Sequence, residues 1–422
     1  MTTTTRTELG DAQSGPISQG DQLSLQKAAP PADDGPRVLK HMLSLEDFEA
    51  EARAFLPRPI FGYISGGSET NASLRGNRAA FDEYSFMPRV LVSTRGRTQK
   101  TTLLGRTYDL PFGFAPMGGT SLAAYEGDIR FARVAADLNI PMIQSGASLT
   151  KLEEVKAAGR TAWFQAYLPG EASIITPLVE RAQDAGFDTL ALTVDVPVMA
   201  NRENNVRNGY STPLRPTPRM VWDCAIRPRW LLGTFLRTIM NRGMPHLENM
   251  GDQRVPIMSR TAERRRHTRD SLCWEHLELM RRIWKGKLVV KGVLAKEDVR
   301  IARESGADGV IISNHGGRQL DGAIAPFRAL PGAVAEAGDM AVMMDSGIRR
   351  GTDILKALAL GADFVFVGRP FLYSAAIAGE AGLRHAARLL REEIDRDMAM
   401  LGIASPSDMT RELLVSNRGQ LS

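Results

Sequence analysis

The chain has 422 residues, 43% of them hydrophobic, which is enough to bury the core of one large α/β domain or of two ordinary ones. Its two cysteines, Cys224 and Cys273, exclude a disulfide framework and lack the paired spacing of a zinc site. The start carries no signal-peptide pattern, and no apolar stretch reaches the roughly 20 residues that span a bilayer. We therefore expect a cytoplasmic protein without a bound metal.

The N-terminal end of the chain differs in composition from the rest. Residues 1–36 are rich in Thr, Ser, Gln, Pro and Asp, which predicts a disordered tail. A helical pattern begins at Leu45, with Ser44 and Asp47 as candidate caps. We expect the main domain to cover residues 37–410 and a C-terminal tail to cover 411–422.

Eight short apolar runs follow Pro111 and alternate with amphipathic, helix-like stretches. This alternation predicts parallel strands that are covered by helices on every side. The strand ends are predicted near positions 116, 145, 166, 195, 291, 314, 345 and 368. The runs read FGFAP, PMIQS, AWFQAY, LALTVD, LVVK, GVIIS, AVMMD and FVFVG.

Three of these strands lie in a repeated string, which favours a closed barrel over an open sheet. The strings GFDTLALT, GADGVIIS and GADFVFVG each close a helix with Gly and place Asp just before a buried strand. Their last residues, Thr193, Ser313 and Gly368, should therefore occupy equivalent strand ends. The sequence predicts a (β/α)8 barrel, in which these ends lie at the catalytic face.

The interval between the fourth and fifth predicted strands holds a long insertion. Residues 206–270 carry 13 arginines against five acidic residues, in a chain whose net charge is only +5. The stretch PRWLLGTFLRTIM interleaves apolar and aromatic residues with arginine, which suits a cover packed on the barrel or a segment lying on an anionic membrane. We expect the cover, with membrane docking as the alternative. The arginines are not accompanied by a helix-turn-helix, a zinc finger or an aromatic platform, so nucleic-acid binding is not expected.

Polar side chains collect at the predicted strand ends, and the string SNHGGRQLD at 313–321 is the most informative. It offers His315 for proton transfer near neutral pH, Arg318 for gripping a carboxylate, and glycines that allow a ligand to approach closely. DSGIRRG at 345–351 and GRP at 368–370 follow the last two strands, where barrels commonly bind a phosphate.

These motifs resemble those of the FMN-dependent 2-hydroxy-acid dehydrogenases and oxidases, the family of glycolate oxidase, lactate oxidase, mandelate dehydrogenase and the respiratory L-lactate dehydrogenases. The resemblance runs from about Leu45 to about Gly402 and rests on SNHGGRQLD, LTVDVP, LVVKGV and VGRP. It implies an FMN cofactor and oxidation of an (S)-2-hydroxy acid, such as L-lactate or mandelate, to the 2-oxo acid. The electrons would pass to a quinone or, alternatively, to oxygen with production of hydrogen peroxide.

The resemblance also bears on assembly and location. Relatives form tetramers, which implies a homotetramer here. The insertion is similar to that of the respiratory enzymes. This similarity implies that residues 206–270 could contact the inner face of the cytoplasmic membrane.

The resemblance assigns roles around the substrate. His315 would be the base, and Asp195 would hold its ring and stabilise the protonated form. Tyr167 would lie near the substrate hydroxyl and the flavin. Arg318 and Arg202 would clamp the carboxylate, and the Tyr63 hydroxyl would be a third contact.

Further residues would hold the flavin. Lys291 would lie beside flavin N1 and the C2 carbonyl, where a positive charge favours the reduced ring. Asp345 would hold the ribityl chain. The remaining contacts would be Pro116, Met117, Gly118, Ser145, Gln165, Thr193, Ser313, Ser346 and Gly347, with Arg349, Gly368 and Arg369 on the phosphate.

The sequence departs from the family pattern at three positions. Met117 stands where many relatives have Thr, and Ser346 interrupts a usual double glycine, which we expect to leave the phosphate loop intact. Ala147 aligns with a tryptophan of glycolate oxidase, so the pocket should accept lactate-sized or aryl substrates better than glycolate.

Other classes of function remain open at this point. Lys291 at a strand end would also suit a Schiff-base aldolase or lyase, although that reading leaves Arg202, Arg318 and His315 unexplained. A flavin-binding isomerase of the type 2 isopentenyl diphosphate isomerase kind would need a diphosphate site instead of a carboxylate clamp. A non-catalytic binding protein would leave the acid-base groups without a task.

Overall fold

The computed structural model describes residues 35–211, 213–250, 254–259 and 269–417. The predicted N-terminal tail lies outside these ranges apart from Gly35 and Pro36. From Arg37 onward the chain forms one compact unit.

An N-terminal extension precedes the barrel. The Asp47 carboxylate accepts hydrogen bonds from the backbone N–H groups of Leu43 and Ser44, both at 2.8 Å, so Asp47 closes the turn before the first helix. The extension comprises helices α1 (Asp47–Phe55), α2 (Arg58–Ser65) and α3 (Ala72–Ala79), strand β1 (Tyr84–Phe86) and the hairpin β2 (Thr101–Leu103) and β3 (Arg106–Tyr108).

Eight parallel strands close on themselves, which confirms the predicted barrel. Each strand pairs with its neighbours in chain order, and the last strand pairs with the first through Val367 opposite Phe114. The predicted strand ends lie within two residues of the observed ones. The barrel strands are β4 (Phe112–Phe114), β5 (Met142–Ser145), β6 (Ala162–Ala166), β7 (Thr189–Thr193) and, after the insertion hairpin β8 (His246–Leu247) and β9 (Val255–Pro256), β10 (Lys287–Val293), β11 (Gly309–Ile312), β12 (Ala341–Met344) and β13 (Phe364–Val367).

Helices follow the barrel strands and pack their apolar faces on the outside of the sheet. They are α4 (Thr120–Ala123), α5 (Gly127–Asp137), α6 (Leu152–Ala158), α7 (Ala172–Asp184), α8 to α11 in the insertion (Glu203–Asn208, Pro218–Ala225, Pro228–Trp230 and Arg237–Arg242), α12 (Trp274–Ile283), α13 (Lys296–Glu304), α14 (Pro326–Ala337), α15 (Gly351–Ala359) and α16 (Arg369–Leu401).

Aromatic side chains fill the inside of the barrel beneath the strand ends. Tyr108 packs on Phe364 with ring centroids 5.9 Å apart, and Trp163 packs on Phe366 at 5.5 Å. Tyr108 comes from the β2–β3 hairpin, so this hairpin covers the end of the barrel where the strands begin. A ligand therefore enters at the opposite end, where the strands finish.

One buried aromatic residue, Trp230, is among the contacts that attach the insertion to the barrel. A π-helical turn, Leu231–Leu236, joins α10 to α11. Trp230 is 3% exposed, and its Nε1–H donates to the Leu122 carbonyl at 2.9 Å. Leu247, Met250 and Val255 form a small hydrophobic cluster of their own. Within the described ranges, no helix combines the length and the apolar character that crossing a bilayer requires.

After the expected domain boundary at residue 410, the chain pairs with the N-terminal extension. Strand β14 (Leu414–Ser416) pairs antiparallel with β1, and Phe86 lies opposite Leu414. Residues 411–417 are thus integrated into the same unit as the extension.

Candidate active site

A cavity opens at the C-terminal ends of the barrel strands, on the face that the sequence predicted. Its volume is about 1210 Å³ when the open mouth is included, which is ample for a bound cofactor and a small substrate. Most of the predicted site residues line it. They are Tyr63, Pro116, Met117, Gly118, Tyr167, Thr193, Arg202, Lys291, His315, Arg318, Asp345, Ser346, Gly347, Arg349, Gly368 and Arg369.

The four other predicted residues lie directly behind this lining. The Asp195 carboxylate contacts His315, and Ser313 Oγ accepts from Lys291 Nζ at 2.9 Å. Ser145 Oγ accepts from the backbone N–H of Ala147 at 3.2 Å. Gln165 is fully buried at the end of β6.

His315 and Asp195 form a hydrogen-bonded pair at the mouth of the barrel. His315 Nδ1 is 3.0 Å from Asp195 Oδ1, and the Tyr167 hydroxyl is 3.4 Å from His315 Nε2. The backbone φ of His315 is +59°, in the left-handed region that side chains other than glycine rarely adopt. The backbone N–H of His315 donates to Ser313 Oγ at 3.0 Å, which helps to hold this conformation.

Burial and charge together set the proton affinity of this pair. Burial lowers the pKa of His315 below its ordinary 6.5, while Asp195 acts in the opposite direction. Burial alone would raise the pKa of Asp195, but His315 and Lys291 lower it, so the carboxyl is ionised. A neutral ring that donates from Nδ1 to Asp195 leaves Nε2 facing the cavity as a base.

Lys291 is held at the end of β10 by a buried carboxylate. Its Nζ is 2.8 Å from Asp345 Oδ2, and both side chains are less than a tenth exposed. Burial would lower the pKa of Lys291, but Asp345 and Asp195 outweigh it and raise the pKa above the usual value. A lysine that stays protonated is a poor nucleophile, so this geometry disfavours the Schiff-base alternative.

Two arginines share the same pair of backbone carbonyls at the C-terminal end of α2. Arg318 donates to the carbonyls of Ile64 and Gly66 at 3.2 and 2.8 Å, and Arg369 donates to the same two at 2.9 and 3.1 Å. The negative end of a helix dipole favours cations at this position. Burial lowers the pKa of Arg369 to about 10, which leaves it charged at neutral pH.

The third predicted clamp residue lies on the same side of the cavity. Arg202 Nε donates to the Arg318 carbonyl at 3.0 Å, and its Nη2 donates to Gln319 Oε1 at 2.6 Å. The Arg318 guanidinium lies 5.0 Å from the centroid of the Tyr63 ring. The structure thus brings Arg202, Arg318 and Tyr63 together.

The loop after β12 shows how Ser346 can replace the glycine that is usual at this position in the family. Ser346 adopts a φ of +80° and Gly347 a φ of +89°, a backbone that favours two glycines. Ser346 compensates with its hydroxyl, which donates to Asp345 Oδ1 at 2.8 Å and accepts from the Gly316 N–H at 3.0 Å. The loop therefore keeps its shape, and Arg349 and the start of α16 at Arg369 line the cavity beside it.

Two buried polar atoms test whether the site suits a flavin. Gln165 Oε1 and Thr193 Oγ1 have no hydrogen-bond partner within the described residues. Buried polar groups are normally paired, so these two require a partner from a ligand or solvent. The resemblance places the polar edge of the isoalloxazine ring at these strand ends, and the residues present fit that group.

Several lining residues were not predicted from the sequence, and three of them add side-chain chemistry near the substrate residues. Val196 and Met199 add apolar surface, and Arg269 is a buried cation whose guanidinium lies 4.4 Å from the centroid of the Tyr167 ring. Arg269 comes from the arginine-rich insertion, where nothing in the local sequence distinguishes it from its neighbours. Within the described ranges, no three His, Cys, Asp or Glu side chains come together in a way that would hold a metal ion.

Comparison with known proteins gives concordant results. The family model described as FMN-dependent dehydrogenase matches residues 52–416. The L-lactate dehydrogenase of Pseudomonas entomophila (strain L48) is 37% identical over 380 residues, which covers 88% of this chain and 98% of that protein. The (S)-mandelate dehydrogenase of Pseudomonas putida is 36% identical over 377 residues and covers 89% and 94%.

Solved structures give the same picture. A crystal structure of the monotopic membrane protein (S)-mandelate dehydrogenase superposes with a TM-score of 0.84 at 36% identity, covering 89% of this chain and all of that one. A crystal structure of mandelate oxidase gives a TM-score of 0.75 at 35% identity, covering 89% and 98%.

Proposed function

Because the chain belongs to the family of FMN-dependent dehydrogenases, we propose that it oxidises an (S)-2-hydroxy acid to the 2-oxo acid and passes the electrons to a quinone. The family makes it a flavin-dependent oxidoreductase. When bound, FMN supplies the acceptor for the two electrons that leave the substrate. The observation that carries the proposal is the convergence of the His315–Asp195 pair with Arg202, Arg318 and Tyr63 in one cavity.

His315 removes a proton from the substrate. Its Nε2 faces the cavity because Nδ1 is engaged by Asp195 at 3.0 Å. The ionised Asp195 stabilises the imidazolium that forms when the proton arrives, and it keeps the ring in the required orientation. Tyr167, 3.4 Å from Nε2, is well placed to contact the substrate hydroxyl.

The two arginines fix the acid group. A planar guanidinium can bind a carboxylate through two parallel hydrogen bonds, which sets the position of the α-carbon as well as the charge. Arg318 and Arg202 supply these forks, and the Tyr63 hydroxyl supplies a third contact. Since Arg318 also donates to the Ile64 and Gly66 carbonyls, its position is held before the substrate arrives.

FMN would be held along the strand ends. Thr193 and Gln165 would meet the ring edge with the polar atoms that need partners, and Lys291 would place a positive charge beside it. Asp345 would contact the ribityl chain. The other proposed contacts are Pro116, Met117, Gly118, Ser145, Ser313, Ser346, Gly347, Arg349, Gly368 and Arg369.

Ala147 supports a lactate-sized or aryl side group on the substrate. This small residue lines the cavity where a larger wall would exclude bulk. Relatives of similar sequence act on L-lactate and on (S)-mandelate, as their names state. We expect L-lactate or (S)-mandelate to be turned over faster than glycolate, and a clear preference for glycolate would contradict this assignment.

The experiment that tests the proposed function separates its two half-reactions. The FMN-loaded protein is mixed anaerobically with a panel of (S)-2-hydroxy acids, and bleaching of the flavin absorbance is followed. The reduced protein is then mixed with oxygen or with a short-chain benzoquinone. We expect bleaching by the acids and faster reoxidation by the quinone. Faster reoxidation by oxygen would identify the protein as a peroxide-producing oxidase, and no bleaching by any acid would refute the proposal.

Peripheral docking on a membrane would place the protein near a lipid-soluble acceptor. The insertion carries an exposed apolar surface made of Val221, Trp222, Leu232, Phe235 and Met240, with Arg219 and Arg229 exposed among them. Apolar residues beside arginine suit an anionic bilayer surface. Trp230 is buried, as the predicted cover over the barrel requires. Its apolar neighbours Leu232 and Phe235 are exposed.

Docking is tested by replacing exposed apolar residues while Trp230 is retained. Leu232→Ser with Met240→Ser should reduce cosedimentation with anionic vesicles and leave the flavin content unchanged. Met400→Ser is the matched control because Met400 is 64% exposed on α16, outside the insertion. Equal cosedimentation of all variants would contradict docking. We also propose a homotetramer, which sedimentation velocity would distinguish from smaller assemblies.

A further inference from the structure

A second, smaller cavity adjoins the active-site cavity on the side of Tyr63 and Ala147, and we call it the side cavity. Its volume is about 400 Å³ when the space open to solvent is included, and Tyr63 and Ala147 line both cavities. The rest of its lining is mainly apolar. Five side chains dominate it: Leu122, Leu149, Leu214, Leu247 and Ile257.

The two cavities share Tyr63 and Ala147, and the glycine at position 118 leaves space beside these two residues, which we call the passage. A Cβ on Gly118 would lie 3.1 Å from the Ala147 Cβ and 3.5 Å from the Tyr63 hydroxyl oxygen. Such contacts are tight enough to narrow the passage. Tyr63 also stacks on Tyr210 with ring centroids 4.5 Å apart and an angle of 22° between the planes, which gives the side cavity a flat aromatic wall.

The insertion builds the outer half of the side cavity. Tyr210, Leu214, Leu247 and Ile257 all lie within 206–270, and the Leu214 N–H donates to the Ile257 carbonyl at 3.3 Å. Leu122, on the barrel side, accepts from Trp230. Trp230 directly precedes the π-helical turn that carries exposed Leu232 and Phe235. The side cavity thus adjoins the active-site cavity on one side, and its outer wall belongs to the insertion that carries the exposed apolar residues.

The lining chemistry limits what the side cavity can bind. None of its lining residues is charged, so the cavity offers no partner for the carboxylate of a hydroxy acid. An uncharged, flat ring is the group that an apolar, aromatic-walled cavity accommodates best.

We propose that the side cavity binds the ring of the quinone acceptor, an inference that rests on the proposed function. The overall reaction balances without another reactant. Oxidation of the α-carbon removes two electrons and two protons from the acid, and reduction of a quinone to the hydroquinone takes up two of each. A quinone in this position lies next to Tyr63 and therefore beside the site where the acid is oxidised.

The decisive variant fills the side cavity. Leu214→Trp should slow reoxidation of the reduced protein by a short-chain benzoquinone at least tenfold relative to reoxidation by ferricyanide. Ferricyanide is a hydrophilic anion, so its reaction with the reduced protein should not require an apolar cavity. Leu149→Phe fills the same cavity from the barrel side and should change the ratio in the same direction. Met400→Trp adds an equal bulk on exposed α16, and its ratio should match that of the unmodified protein.

A second readout does not depend on turnover. An azidobenzoquinone photolysed with the FMN-loaded protein should label peptides that contain Tyr210 to Leu214 or Leu149, and excess unlabelled quinone should suppress the label. Labelling confined to other peptides would overturn the inference even if the variants failed to fold.

The outcomes separate this inference from the proposed function. If no acid bleaches the flavin, the proposed function fails. If acids bleach it and Leu214→Trp keeps the normal quinone-to-ferricyanide ratio, only the side-cavity assignment fails. If Leu214→Trp slows bleaching by the acid instead, the cavity holds the side group of the substrate, and the quinone assignment is overturned.

Discussion

Gly292 leaves room for the side chain of Asp195. A Cβ on Gly292 would lie 2.6 Å from Asp195 Cγ, and the backbone φ of Gly292 is +102°. The glycine sits where the pairing of β10 with β11 shifts register, between Lys291 and Val293. This irregularity of the strand is what allows a carboxylate from the end of β7 to reach His315.

Gly292→Ala should therefore displace Asp195 and slow the reaction. We expect the rate of flavin bleaching by the acid to fall by about 100-fold, because a displacement of this size misplaces the base. Gly186→Ala is the matched control. Gly186 has a φ of +83° but no atom within 4 Å of its Cβ position. It should lose about 1–2 kcal/mol of stability and keep its bleaching rate. Equal bleaching rates in both variants would contradict the assigned role of Asp195.

The pH dependence should reveal the perturbed proton affinity of His315. Burial lowers its pKa below 6.5, and the reaction needs the neutral ring, so kcat/KM should hold from neutral pH down to 6.5 and decline below that. Asp195 opposes this shift, so Asp195→Asn should move the decline to still lower pH. The same change should reduce the bleaching rate by about 10²–10⁴-fold, since the imidazolium loses its partner. An unmoved acid limb would argue against His315 as the group observed.

Removing the Lys291 ammonium should destabilise the protein through Asp345. Lys291→Met leaves a buried carboxylate without its partner at 2.8 Å, which should cost about 3–5 kcal/mol in the free energy of unfolding. Urea unfolding of the FMN-free protein measures this directly. The double variant with Asp345→Asn should recover much of the loss, because the uncompensated charge is gone. A double variant as unstable as the single one would show that packing, not charge, accounts for the effect.

Arg318→Lys should weaken substrate binding while preserving the positive charge. Lysine lacks the planar fork, so we expect KM for the acid to rise about 10- to 100-fold, with a smaller effect on kcat. Arg215→Lys, an exposed change in the insertion outside both cavities, is the control. A KM equal to that of the control would remove Arg318 from the carboxylate clamp.

The barrel could be predicted because each strand carries its own signal. The eight buried runs are short, bounded by glycine or proline and separated by helix-like stretches, and three of them repeat the same string. The chemistry of the strand ends could be predicted for a related reason. Lys291 lies near the end of β10, Asp345 directly follows β12 and His315 lies three residues after β11, so the barrel brings them together once the strands are known.

What could not be predicted depends on segments packing from elsewhere in the chain. The Ile64 and Gly66 carbonyls meet Arg318 and Arg369 only because α2 lies across the mouth of the barrel, and no local pattern encodes that position. Arg269 reaches Tyr167 from an arginine-rich run in which its neighbours have the same composition. The space at Gly118 matters because Ala147 and Tyr63 lie beside the missing Cβ, and the sequence does not show that these residues are neighbours.

The separate hydrophobic cluster of the insertion, Leu247, Met250 and Val255, has a consequence for how such an enzyme can diversify. This segment contacts the barrel outside its strands, for example through Trp230 at the Leu122 carbonyl and Asn249 at the Thr150 carbonyl, so its sequence can change without disturbing the strands that carry the reaction. Related enzymes can therefore change their cellular location or their electron acceptor during evolution and keep the same oxidation chemistry.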